Sequence, residues 1–228
     1  MKRLLLFVIS QAVLLAQTAI PQQASRPVDR PEEPGFVFDD DGGKVQIVPA
    51  DLSSAGSKQF HGGRVMGSVR QVSIFLGGGW SDSQTRSREA ALSDVAGSAP
   101  AHVAELRGRN IRTLRSVPRL EDFSDLTQGP VNDLTIQRKL SEMLENKAIP
   151  APTSNTVYVV FLAPGITSTL GSHKAGADYA AYHNFTNLKA GEVLYVVVPF
   201  NTNSDRQAAA AVRALAETAL NPTGTGWF

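Results

Sequence analysis

The stretch NTVYVVFLA, Asn155–Ala163, decides the fold. Its β-branched and aromatic residues fit a pleated surface, and its unbroken apolar run marks a buried strand. GEVLYVVVPF, Gly191–Phe200, has the same texture and reads the same way. A third strand is expected over Val69–Leu76 in GSVRQVSIFLGGGW, where Gly77, Gly78 and Gly79 end what a strand interior would not tolerate.

Helical signals lie between and after these runs. NDLTIQRKLSEMLENKAIP, Asn132–Pro150, places Asn132 or Asp133 at a cap, sets Leu134, Ile136, Leu140, Met143 and Leu144 as an apolar stripe, and closes on Pro150. SDSQTRSREAALSDVAGS, Ser81–Ser98, offers Ser81 or Ser83 as cap, Ala90, Ala91, Leu92 and Val95 as apolar positions, and Gly97 as a stop. The last helix is alanine-rich. Ser204 and Gln207 have the spacing of a capping box, and Asn221 must leave the helical region because Pro222 follows. Strand, helix, helix, strand, strand, helix predicts a single α/β domain over 59–228, with a central, mostly apolar sheet, packed helices and a C-terminal Ala-rich helix. Ala101–Asp125 is charged and Arg-rich and carries little signal.

Met1-Lys2-Arg3 precedes an apolar run, Leu4–Ala16, and then small residues. These are the parts of a secretory signal peptide, assigned to 1–19. The expectation is a secreted protein, extracellular or periplasmic, with no membrane span after cleavage. Residues 20–58, rich in Pro, Gln, Ser and acidic side chains, read as a flexible linker, with Asp39–Gly43 (DDDGG) as a solvated acidic turn lacking the spacing of a calcium loop. Setting Lys2 and Arg3 aside leaves 20 basic residues against 21 acidic ones, which argues against nucleic acid as a partner. With no cysteine in the chain, disulfides and thiolate chemistry are excluded, so the core must hold the fold.

Three blocks in order carry a resemblance: FHGGRVMGSVRQVSIFLGGGW (60–80), NTVYVVFLAPGITSTLG with YAAYHNF (155–171 and 179–185), and ALAETALNPTGTGWF (214–228). Together they resemble the phosphate-induced protein, or EXORDIUM-like, family, and they span nearly all of 59–228. The resemblance implies an exported protein with a structural, binding or signalling role and an extracellular or cell-wall ligand. Two departures stand out. Plant members of the family carry cysteines near the loop histidine, and this chain has none. Bacterial relatives carry His-Glu-x-x-Glu on the last helix, where this chain has Arg213, Ala214 and Glu217.

A His-Glu-x-x-Glu helix suits a metal, because the His and the second Glu, four apart, share a face and can bind one cation while the first Glu is placed as base for a metal-bound water. A guanidinium cannot shed its proton to bind a cation. Arg213 and Glu217 are instead spaced as an i,i+4 ion pair. The favoured reading is therefore non-catalytic. The alternative is a metal-dependent, peptidase-like hydrolase, with zinc as the possible cofactor and His61, His183, Asp178 and Glu217 as candidate metal or polar site. His102 and His173 read as solvated loop residues. A carbohydrate- or wall-binding module would want a groove of exposed aromatics, and two Trp with four Tyr are a thin supply.

Overall fold

The computed structural model describes residues 35–52, 58–93, 126 and 129–227. A six-stranded mixed sheet forms its centre. In chain order the strands are β1 (Phe36–Phe38), β2 (Lys44–Pro49), β3 (Arg70–Leu76), β4 (Gly129–Val131), β5 (Thr156–Leu162), β6 (Ile166–Leu170), β7 (His173–Lys174), β8 (Tyr179–Leu188) and β9 (Gly191–Val198). The helices are α1 (Asp82–Ser93), α2 (Asp133–Glu145) and α3 (Ser204–Leu220). The large sheet runs β1-β2-β8-β9-β5-β3, and β4-β6-β7 form a small second sheet. β3, β5 and β9 are mutually parallel, while β8, β2 and β1 continue the sheet antiparallel. This is the expected α/β domain.

β5 is buried at every position, as its apolar run requires of a central strand flanked by β3 and β9. Side chains alternate across the sheet. Gln46 pairs with His183 and His183 with Val196, so these share one face. Tyr182, Asn184 and Tyr195 lie on the other. α3 covers the first face and is buried along nearly its whole length: small alanines let it lie close to the sheet, and Leu215 and Leu220 fill the remaining gaps.

Some local expectations are corrected. Residues 36–38 and 44–49, assigned to a flexible linker, are strands of the main sheet, with Val37, Val45 and Val48 in the core. Within Asp39–Gly43, Asp40, Asp41 and Gly42 are exposed as a solvated turn requires, but Asp39 is buried: its carboxylate accepts the Gly43 N–H at 2.6 Å and closes the hairpin. Leu134 is 45% exposed. At about 100° per residue, Ile136, Leu140, Met143 and Leu144 fall on the side of α2 opposite Leu134, and Asp133 falls among them. Asn203, not Ser204, caps α3, accepting from the Asp205 and Arg206 N–H groups at 3.1 and 3.0 Å. Asn132 caps α2, and Ser81 accepts the Gln84 N–H at the start of α1. Val95, Gly97, His102 and Ala101–Asp125 lie outside the described residues.

Candidate functional site

The C-terminus is clasped by the segment around Phe60. Phe60 and Trp227 form a β-bridge, with their rings 5.3 Å apart. The His61 N–H donates to the Gly226 carbonyl at 2.9 Å, and the Met66 N–H to that of Ala219 at 2.7 Å. Gly63 and Gly226 have no side chain for a steric reason: a Cβ on Gly63 would overlap the Thr225 carbonyl, and one on Gly226 that of Leu220. Asn221, fully buried, organises the turn that follows α3. Its Oδ1 accepts the Gly226 N–H and its Nδ2 donates to Gln46 Oε1, each at 2.6 Å. Gln46 in turn sits opposite His183 on β8. The blocks containing His61, His183 and Asn221 therefore meet in one neighbourhood.

Glu217 lies one turn before Asn221, and both it and Arg213 are buried. Arg213 Nε donates to Glu217 Oε1 at 3.0 Å, and Lys58 Nζ stands 3.6 Å from the same oxygen. A further Arg213 nitrogen donates to the Leu52 carbonyl at 3.0 Å. The carboxylate is thus neutralised by two cations of the chain itself. His183 is buried on the same face, and its Nε2 has no hydrogen-bond partner among the described residues. Burial, reinforced by the charge of Lys58, pushes its pKa down to about 3, so its ring is neutral at physiological pH. It borders a shallow cleft of about 210 Å³ with Gln46, Pro222 and Gly224.

The other two candidates stand apart. Asp178 is exposed, in the turn before β8, where Oδ2 accepts the Lys174 N–H at 2.7 Å. It lies five residue steps before His183, about 16 Å at strand rise. His61 is exposed, and its tie to the clasp runs through the backbone. Among the described residues no group of three or more His, Asp or Glu is placed to hold one metal ion. The donor chemistry at Glu217 does not fit zinc either, since the ligand oxygen already faces two protonated cations.

A second buried polar cluster escaped the sequence reading. Asp133, at the first position of α2, is 1% exposed. Its Oδ2 accepts Tyr195 OH at 2.6 Å, Gln137 Nε2 at 2.7 Å and Asn184 Nδ2 at 3.0 Å. Asp133 Oδ1 and Tyr182 OH are buried without hydrogen-bond partners among the described residues. Burial first, then the Asp133 charge, raises the pKa values of the Tyr182 and Tyr195 phenols. Asp39 feels the same charge: burial, then a hydrogen bond and charge from Asp41, and lastly Asp133 raise its carboxyl to about 7. The signal was helix phase, because Asp133 lies three, seven and eleven residues before Ile136, Leu140 and Leu144.

Comparison of the chain with protein-family models, with curated proteins and with solved structures finds no match.

Proposed function

We propose that this chain is an exported, non-catalytic protein of EXORDIUM-like type, acting outside the cytoplasm through binding or structure. The observation that carries this reading is the state of Glu217. Its carboxylate is committed to Arg213 at 3.0 Å and Lys58 at 3.6 Å, an internal charge balance that needs no metal ion. The meeting of the three resemblance blocks at Asn221 supports a common design, in which the helix stop and the glycine-aromatic ending serve to lock the C-terminus. Export rests on the leader-like residues of 1–19. No helix among the described residues is long and apolar enough to cross a membrane.

The hydrolase alternative draws on one feature, the neutral, unpartnered Nε2 of buried His183. Elemental analysis of purified protein separates the two readings. The non-catalytic reading expects substoichiometric zinc, unchanged in His183→Ala, and no turnover of peptide or ester substrates. Stoichiometric zinc that is lost in His183→Ala, together with metal-dependent hydrolysis, would replace it with the hydrolase.

A further inference from the structure

Strand β8 carries a motif that the site above leaves unused. Asn184-Phe185-Thr186 has the Asn-x-Thr pattern of an N-glycosylation acceptor, with no proline between. Such an acceptor belongs in a surface loop, because the glycan is bulky and hydrophilic. Here the motif lies inside a sheet. β8 runs between β2 and β9, with Asn184 opposite Tyr195 and Thr186 opposite Val193. Strand alternation turns the Asn184 side chain toward α2, away from the face on which His183 and Gln46 border the shallow cleft.

The Asn184 amide is held from both ends. Its Oδ1 accepts the Phe185 N–H at 2.8 Å, and its Nδ2 donates to Asp133 Oδ2 at 3.0 Å. The nitrogen that would bear the sugar is therefore the one aimed at a buried carboxylate, whose same oxygen also takes Tyr195 OH and Gln137 Nε2. Asn184 itself is 9% exposed. A sugar on Nδ2 would have to lie between β8 and α2, and close packing leaves no room for it there. It would also part Asp133 from one of its three donors, and a buried carboxylate short of a donor is costly to keep.

We infer that Asn184-Phe185-Thr186 is an acceptor this fold cannot use: no folded molecule carries a glycan there. The consequence reaches the route of export. In a secretory pathway that glycosylates, each molecule modified at Asn184 is lost to folding, whereas a pathway without N-glycosylation leaves the motif silent. The export proposed above is therefore by a route of the second kind. That last step rests on the export reading, while the exclusion of the glycan rests on the burial and hydrogen bonds of Asn184 alone.

The test moves the acceptor along the strand. Thr186→Val removes it and keeps a β-branched side chain in β8. Adding Lys189→Thr opens a new acceptor at exposed Asn187, beside the β8–β9 turn. Wild type and both variants, leader included, are secreted from a eukaryotic host that glycosylates and into a bacterial periplasm, and glycosidase-sensitive bands are scored for protease resistance. In the glycosylating host the double variant is expected to give a glycosylated band as resistant as unmodified protein. Any glycosylated wild type is digested at least about tenfold faster. Secreted wild type is expected at about a third of the Thr186→Val yield there, and at equal yield in the periplasm. A protease-resistant wild-type band with a glycan on Asn184 overturns the exclusion, and equal secretion of wild type and Thr186→Val from the glycosylating host overturns the route. Failure of the leader to deliver any form to the periplasm counts against export instead and leaves the glycan result standing.

Discussion

Arg213 and Glu217 form a buried ion pair one helical turn apart, 3.0 Å between Nε and Oε1, on the face of α3 that meets β2 and β8. Exposed pairs of this spacing contribute a few tenths of a kcal/mol. Burial changes the arithmetic, because each ion loses its water and removal of one strands the other. Glu217→Gln is expected to cost about 3–5 kcal/mol, seen as a lower urea midpoint at unchanged slope. The double variant Arg213→Met/Glu217→Leu should cost clearly less than the sum of the two single changes. Additive costs would show that the pair is not a coupled unit.

Asp39 gives the fold a preference for acid. Its folded pKa of about 7 stands above the ordinary 3.8, so the folded chain binds a proton more tightly than the unfolded one between those values. The stability it contributes is full below pH 3.8 and is lost as pH rises through about 7. Asp41, held low chiefly by its hydrogen bond with Asp39, titrates with it as a pair and acts in the opposite direction. Asp39→Asn imitates the protonated acid and keeps an acceptor for the Gly43 N–H. Its denaturation midpoint should match wild type below pH 3.8 and exceed it at pH 8; a midpoint no higher than wild type at pH 8 would count against the assignment.

His183 acts with the opposite sign. A folded pKa of about 3 against 6.5 means that the neutral ring is favoured on folding. Its contribution is complete above pH 6.5 and disappears as pH falls through about 3. Acid unfolding followed by circular dichroism should therefore shift to lower pH in His183→Gln. An imidazole resonance that is missing from His183→Gln, and so belongs to His183, would refute the burial argument if it titrated near 6.5 in the folded protein.

The C-terminal clasp depends on two backbones in direct approach. Gly63→Ala puts a methyl group into the Thr225 carbonyl, and neither partner is a flexible side-chain end. The expected cost is about 1–3 kcal/mol, the range for forced overpacking. Limited proteolysis with a carboxypeptidase should remove Trp227 faster from the variant than from wild type. Equal rates would mean that the contact does not hold the tail.

Much of this architecture was legible because period and punctuation are local properties. β5 and β9 announce themselves through unbroken apolar runs, and α3 through alanine content and the Asn221-Pro222 stop. β1 and β2 were not legible. FVF is three residues long and KVQIVP follows an Asp-Gly cluster, so neither is distinguishable from linker until β8 supplies an edge to pair with. Leu134 is apolar but sits beside the cap of α2, where helix phase turns it away from the face that carries Ile136, Leu140 and Met143.

The candidate site shows the same division more sharply. An i,i+4 arginine and glutamate could be read from spacing alone, along with the zero cysteine count and the near-neutral charge. That Lys58, more than 150 residues upstream, reaches the same carboxylate, and that Asp39 and Asp133 share a buried neighbourhood, both depend on chain reversals across the sheet. Periodicity tells a side chain which way to face along its own element. Solvation and charge balance are set by whatever the other elements bring to that face, and this only packing determines.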